Sequence, residues 1–125
     1  MADLNVVIND VVCGDDYDVI RNITNVPVGQ FVSEAWLTIR ENHWDSDAAI
    51  TKHITVTISG DGIIEDTGAT DTLARVRFAL RADETVLLHE FYDYSYDIQL
   101  KTDAGKIYTP ESGILTPFAS VTSEV

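Results

Sequence analysis

Residues 94–110 have the sequence YSYDIQLKTDAGKIYTP, which predicts two strands joined by a tight turn. In the first strand the apolar residues Ile98 and Leu100 alternate with polar neighbours. Because successive side chains of a strand point to opposite faces, one face is expected to be buried and the other hydrated. Asp103–Lys106 supplies the turn, since Asp and Gly favour the backbone conformations that turns require. The second strand is predicted at Gly105–Thr109.

The same alternation recurs along most of the chain. Antiparallel sheets with one solvated face produce it, whereas parallel sheets are buried on both faces and do not. A single short helix is predicted after Asp83, whose side chain would cap residues 84–88. The other predicted strands are Asn5–Val12, Tyr17–Ile23, Ala35–Arg40, His53–Ile58, Arg75–Arg81 and Gly113–Thr122.

These elements predict an all-β fold, an antiparallel immunoglobulin-like β-sandwich of roughly seven to nine strands with at most one short helix. The Cys…Trp…Cys signature of antibody domains is absent, so only the architecture is indicated. Tyr96 has the spacing of a tyrosine corner, with Ile98 where antibodies place a cysteine. Alternatively, Tyr96 is an ordinary strand tyrosine. A length of 125 residues fits one domain, 1–125, with flexible terminal arms at Met1–Leu4 and Ser120–Val125.

Charge narrows the classes of function. Eight basic and 21 acidic residues give a formal net charge of −13, which would repel nucleic acids and anionic membranes. No apolar stretch approaches the roughly 18 residues of a membrane helix, and no secretion signal is evident. The single cysteine, Cys13, cannot form an internal disulfide, which suits a reducing cytoplasm. The acidic surface therefore favours solubility, basic protein partners or cations.

No catalytic motif emerges from the spacing of reactive residues. His43, His53 and His89 lie on separate segments without the pairing of a zinc site. Cys13 follows two valines and is expected to be an inert buried thiol. The Gly60–Gly62 segment lacks the Lys-Ser/Thr of a phosphate-binding loop and is predicted to be a hairpin turn. We therefore predict a protein that is not an enzyme and that needs no cofactor.

Two aspartate clusters are the weak candidates for a metal site. Hard oxygen ligands in loops suit Ca²⁺, but neither cluster has the spacing of a twelve-residue calcium loop. Solvated turn aspartates are the simpler interpretation, so no metal is predicted. The clusters are Asp15, Asp16 and Asp18, and Asp45 with Asp47.

Aromatic residues are the candidates for contact with a partner. Trp44 lies in a polar loop, and Trp36 has the opposite parity to the apolar residues of its strand, which predicts an outward-facing ring. The alternative for Trp36 is packing under a neighbouring loop. Tyr92 and Tyr94 lie in an aromatic-rich segment. We predict that these four residues bind a partner.

An ordered set of short segments resembles a known family. The segments are Gly14–Tyr17, Pro27–Gly29, Ala35–Arg40, Tyr96–Lys101 and Gly105–Thr109, within a similar region of about residues 10–122. Together they resemble the small β-sandwich modules of bacteriophage virions, in particular the N-terminal domain of baseplate-upper and receptor-binding-type tail proteins. This chain ends soon after the sandwich, without a fibre or receptor-binding tail.

The resemblance implies a non-enzymatic virion protein made in the bacterial host cytoplasm. Its partners would be other virion proteins, capsid or tail and baseplate subunits, and it would form a homo-oligomer, with a trimer favoured. The short chain favours a capsid decoration or cement protein, or an adaptor at the neck, baseplate or fibre. Two alternatives remain: a carbohydrate- or host-receptor-binding module that uses Trp36 or Trp44, and a small hydrolase, which the residue spacing does not support.

Overall fold

The structure, a computed structural model, describes residues 3–42, 44–45 and 47–120. These residues form eight strands and one helix of a single turn. In chain order the elements are β1 (Asp3–Ile8), β2 (Tyr17–Ile23), β3 (Val32–Arg40), β4 (Ile50–Ile54), β5 (Gly62–Thr67), β6 (Ala74–Leu80), α1 (Ala82–Thr85), β7 (Tyr94–Thr102) and β8 (Ile107–Leu115).

The strands form two packed sheets. The five-stranded sheet has the order β1-β8-β7-β3-β4, and the three-stranded sheet has the order β2-β6-β5. All strand pairs are antiparallel except β1 and β8, which are parallel. The orders match the B-E-D and G-F-C-C′ arrangements of immunoglobulin sandwiches. The predicted all-β sandwich with at most one short helix is therefore confirmed. Among the described strands, the edge strand β1 is the one that pairs with its neighbour in parallel.

The core lies between the two sheets, where the alternating apolar residues meet. In the larger sheet, Leu37 of β3 pairs with Ile98 of β7, and both are fully buried. In the smaller sheet, Val19 of β2 pairs with Phe78 of β6, and these too are fully buried. The predicted alternation thus selected the core side chains of the central strands correctly.

The strands differ from the prediction at several places, including the ends of β1 at Ile8 and of β8 at Leu115, where Val12 and Thr122 were predicted. β4 ends at Ile54, and Val56 and Ile58, which were predicted to lie on its buried face, are exposed. β8 is one strand where two were predicted. Pro110 has no N–H to donate, and the pairing of β8 with β7 continues on both sides of it because the register shifts at this point. β5 was not predicted at all, since its polar second half lacks the alternation.

A short helix is present as predicted, but its bounds and its N-cap residue differ from the prediction. α1 begins at Ala82, and Arg81 occupies the N-cap position predicted for Asp83. The Arg81 N–H donates to the Glu84 carboxylate at 2.9 Å, and the Ala82 N–H donates to Asp16 at 2.7 Å. Carboxylates from the first turn and from a neighbouring loop therefore satisfy the helix start, and Asp83 is not the cap.

The tyrosine corner is formed by Tyr94, not by Tyr96 as predicted. The Tyr94 hydroxyl accepts a hydrogen bond of 2.8 Å from the His89 N–H, five residues upstream, at the start of β7. The Tyr96 ring is also buried, but its hydroxyl donates to Glu111 at 2.6 Å and is not hydrated. Tyr96 is therefore the packed strand tyrosine of the alternative interpretation, except that its hydroxyl bonds to Glu111 where a hydrated hydroxyl was expected.

Two buried ion pairs lie inside this framework. Arg21 of β2 donates through Nε to both oxygens of Glu111 on β8, at 2.8 and 3.0 Å, and so joins the two sheets. Lys52 of β4 is fully buried, and its Nζ lies 2.5 and 2.6 Å from the Glu84 oxygens. Each pair holds distant parts of the chain together.

The predicted terminal arms are only partly covered by the described residues. Asp3 and Leu4 belong to β1, whereas Met1, Ala2 and residues 121–125 lie outside the described part. Within that part, the structure contains no helix with the length and apolarity needed to cross a membrane.

Candidate functional site

Four connecting segments meet at one end of the sandwich: residues 9–16, 41–49, 81–93 and 116–120. Backbone bonds join them, since Phe118 N donates to Val11 O at 2.8 Å and Phe91 N donates to Pro117 O at 2.7 Å. The Tyr92 hydroxyl donates to Glu41 O at 3.2 Å and ties in the 41–49 segment. Large apolar side chains project from this end. We call it the aromatic end and define it by Trp44, Val86, Leu87, Phe91, Tyr92 and Phe118.

The side chains of the aromatic end are strongly exposed. Leu87 is 78% exposed, Trp44 72% and Phe91 62%. The Phe91 and Phe118 rings meet edge to face, with their centroids 5.5 Å apart. Phe91 has a φ of +60°, a left-handed conformation that bulky residues rarely adopt. Backbone strain at an exposed aromatic residue is more common at functional sites than elsewhere.

The local sequence explains why Val86 and Leu87 point outward. Thr85 is buried, where its hydroxyl donates to Asp15 O at 2.7 Å and accepts from the Gly14 N–H at 3.0 Å. Leu88 is buried three residues later. With these two residues anchored on the core side of the turn, the two apolar residues between them are left in solvent.

Two of the predicted partner-binding residues lie at the aromatic end, and two do not. Trp44 and Tyr92 belong to it. Tyr94 packs edge to face under Tyr92 at 4.9 Å, but it is only 2% exposed, so it offers no surface to a partner and leaves the candidate set. Burial also raises the pKa of Tyr94, which keeps its hydroxyl protonated.

Trp36 lies elsewhere, on the outer face of the five-stranded sheet. Its outward orientation agrees with the parity prediction, and its ring is half-buried. The ring stacks on His53 of the neighbouring strand, with centroids 5.1 Å apart and planes inclined by 15°. His53 Nε2 in turn lies 2.9 Å from a Glu34 oxygen. One face of the Trp36 ring is therefore covered by a neighbour within the protein.

Charge distinguishes the aromatic end from the opposite end. Its four segments contain three acidic residues in 9–16, three in 41–49 and four in 81–93, against one basic residue, Arg81. The opposite end consists of segments 24–31, 68–73 and 103–106, which contain only Asp71, Asp103 and Lys106 as charged residues. The segments of the aromatic end thus combine exposed apolar side chains with many acidic residues, whereas those of the other end are nearly neutral.

The candidate calcium ligands do not form a cluster. Asp16 accepts the Ala82 N–H, and Asp18 lies 3.8 Å from the Arg77 guanidinium on the face of the smaller sheet. Among residues 3–42, 44–45 and 47–120, no group of three His, Cys, Asp or Glu side chains is placed to hold a metal ion. Asp45 and Asp47 line a shallow depression with Glu41.

The reactive side chains singled out in the sequence are also dispersed. His53 contacts Glu34, and His89 Nε2 lies 3.8 Å from Glu41, while His43 falls outside the described residues. Burial raises the pKa of Cys13, which disfavours the thiolate that nucleophilic chemistry would need. The Cys13 thiol lies 3.6 Å from Leu88 O. The predicted turn at Gly60 and Asp61 is present, with reciprocal bonds between Ser59 and Gly62.

Sequence reasoning missed four of the six residues of the aromatic end. Val86 and Leu87 were assigned to a helical turn, Phe118 was assigned to a strand, and Phe91 was not among the predicted partner-binding residues. The run Val86-Leu87-Leu88 carried a signal, because three consecutive apolar residues beside a four-residue helix cannot all face the core.

A scan against protein-family models and a search of curated proteins both find no match for this chain. Its function is therefore inferred from its own residues.

Proposed function

We propose that this chain is a non-enzymatic structural protein of a bacteriophage virion that binds neighbouring subunits through its aromatic end. The exposed apolar surface of Leu87, Phe91, Phe118 and Trp44 is the observation that carries the proposal. Aromatic side chains at the centre of an interface contribute most of its binding energy. The virion setting rests on the ordered sequence resemblance described above.

The acidic surround gives the partner a definite chemistry. An apolar centre with carboxylates around it complements a basic protein surface with an apolar recess. Opposite charges would speed the encounter and make it sensitive to salt. A basic virion subunit is accordingly the partner that we propose.

The proposed trimer would use other surfaces. A two-fold contact through the aromatic end would bring the same acidic segments together, whereas a three-fold ring joins different patches of neighbouring copies. The host cytoplasm remains the proposed place of synthesis and the virion the final location.

A carbohydrate- or host-receptor-binding module is the second candidate, and the exposed Trp44 ring favours it. Trp36 supports it less, because His53 covers one face of that ring. Loss of glycan binding on Trp44→Ala, with subunit binding unchanged, would move the assignment to this candidate.

The test is incorporation of purified variants into virions of the encoding phage. Leu87→Ser combined with Phe91→Ser should lower binding at least about tenfold, because each removes a contact of hot-spot size. Trp44→Ala should weaken binding without disturbing the monomer fold. Val28→Ser is the matched control, since Val28 is 89% exposed at the opposite end. Equal binding by all four proteins, or equal loss in the Val28 variant, would refute the proposal.

A further inference from the structure

A groove crosses the outer face of the five-stranded sheet, in the half of the sheet next to the aromatic end. Its volume is about 580 Å³. It runs over four adjacent strands, β1, β8, β7 and β3, which at about 4.8 Å per strand spacing gives a length of roughly 14 Å. The lining includes Val7, Thr38, Arg40, Ser95, Asp97 and Ile114.

One charged group in the groove has a polar atom without a partner. The Nε of Arg40 is buried and has no hydrogen-bond acceptor in the described part of the protein. Asp97 lies close enough for its charge to interact with that of Arg40. Burial raises the pKa of Asp97, and the nearby Arg40 charge opposes that rise only in part. Unsatisfied buried polar groups in a native structure call for an explanation, of which a missing ligand is one.

We propose that this groove binds a neutral saccharide of two or three units. Arg40 offers donors, Asp97 offers acceptors, and the hydroxyls of Thr38 and Ser95 offer both. A sugar presents hydroxyls that donate and accept, so it satisfies all of these groups together. The volume lies within the range of roughly 300–1,000 Å³ that small-ligand sites occupy.

Charge and topology argue against anionic, cationic and extended peptide ligands. An anionic ligand would meet Asp97 and a protein of net charge −13, and a cationic ligand would meet Arg40. An extended peptide normally binds by pairing with a free strand edge. In the order β1-β8-β7-β3-β4, the strands β8, β7 and β3 have both edges paired, so a peptide lying across them gains no backbone ladder. Among the strands that line the groove, only β1 has an unpaired edge in the described structure, and that edge lies at one side of the groove.

An aromatic pair borders the groove on the same sheet face. Trp36 precedes Thr38 by two residues on β3, so both side chains point outward, and the Trp36 ring stacks on His53. Val7 and Ile114, at the β1 side, are 62% and 43% exposed. Val7 and Ile114, which line the groove, supply apolar contact for the C–H faces of a sugar ring.

The test is a titration of the ¹⁵N-labelled protein with cellotriose, maltotriose and N,N′,N″-triacetylchitotriose, followed by amide chemical shifts. At least one probe should give saturable shifts confined to β1, β3, β7 and β8. Arg40→Lys keeps the charge but loses the planar donor fork, and Asp97→Asn keeps the shape but loses acceptors. Each should weaken binding by about tenfold, as expected when a charged hydrogen bond is lost.

Matched variants and probes make the result decisive. Gln99→Ala changes an exposed residue of the same face outside the groove lining, and it should bind as the unaltered protein does. Saturable binding of trigalacturonate or of tri-alanine at these strands, in place of the neutral sugars, would overturn the proposal. So would the absence of shifts with all three neutral probes at millimolar concentration. Neither result bears on the aromatic end, which virion incorporation tests separately.

Discussion

Replacing Arg21 by methionine should destabilise the sandwich strongly, because it would leave a buried carboxylate without its cation. Glu111 is 7% exposed and accepts the Arg21 Nε–H at 2.8 and 3.0 Å. Its remaining partner would be the Tyr96 hydroxyl at 2.6 Å. Burial and the Glu111 carboxylate raise the pKa of Tyr96, so that hydroxyl stays protonated and continues to donate.

The magnitude follows from the burial of the pair. Breaking a buried ion pair costs about 3–5 kcal/mol, and the side chain of Arg21 is still 27% exposed, so we expect the lower end, about 3 kcal/mol. For a domain of this size, that lowers Tm by roughly 10 °C. Tyr96→Phe removes one hydrogen bond to a charged acceptor and should cost about 1.5–2 kcal/mol.

A double variant provides the sharpest check. Arg21→Met with Glu111→Met replaces both charges by apolar side chains of similar length, and such replacements are often neutral or stabilising. The double variant should therefore be more stable than Arg21→Met alone, as measured by urea unfolding and by thermal melts. Two results would refute the reasoning about an uncompensated buried charge. One is a loss of less than about 1 kcal/mol in the unfolding free energy of Arg21→Met, and the other is a double variant that is less stable than Arg21→Met.

Three further predictions concern other parts of the fold. Burial opposes ionisation of Glu84, but the hydrogen bonds from Lys52 outweigh this effect and lower the pKa of Glu84. The pair therefore stabilises the fold at pH values above the pKa of an unfolded glutamate, about 4.3, and this stabilisation is lost as the pH falls through the pKa of Glu84 in the folded protein. The urea midpoint should fall less steeply between pH 7 and pH 3 for Glu84→Gln than for the unaltered protein. Parallel plots of midpoint against pH would count against a stabilising role for the ionised Glu84. Gly113→Ala places a Cβ 1.8 Å from the Val6 carbonyl oxygen and should displace β1 at a cost of about 1–3 kcal/mol, seen as faster amide exchange in β1. Unchanged exchange there would contradict the close approach. Because burial raises the pKa of Asp97, Asp97→Asn should stabilise the protein slightly at pH 7, by less than about 1 kcal/mol. The difference in unfolding free energy between the variant and the unaltered protein should shrink as acid protonates Asp97. A destabilised variant would show that a hydrogen bond was lost instead.

The fold class could be predicted because the core strands carry their own signal. Leu37, Ile98 and Phe78 lie in runs of strict alternation, and the structure buries each of them. The tyrosine corner was misplaced for the opposite reason. Tyr94 and Tyr96 have the same parity and are both buried, and only the path of residues 89–93 decides which hydroxyl reaches the backbone of His89.

Two of the six residues of the candidate site could be predicted from the sequence. Trp44 and Tyr92 stood out because large aromatic residues in polar segments are unusual. Phe118 could not be assigned, since its exposure depends on a bridge to Val12, more than 100 positions away. The groove was invisible in the sequence for a similar reason, because Arg40 meets Ser95 only through the pairing of β3 with β7.

The unequal ends of the sandwich constrain how copies of the chain can associate. If two copies met through their aromatic ends, the ten acidic residues of these segments in one copy would lie near those of the other, offset in each copy by Arg81 and by Lys52, which pairs with Glu84. Burying like charges together costs more than apolar contact of Leu87 and Phe91 can return at ordinary salt, because desolvation removes the screening that water provides. The nearly neutral end, with Val28, Phe31 and Ile107 exposed, carries no such penalty. Association of identical copies is therefore expected at surfaces other than the aromatic end, and the acidic end stays free for a partner of opposite charge.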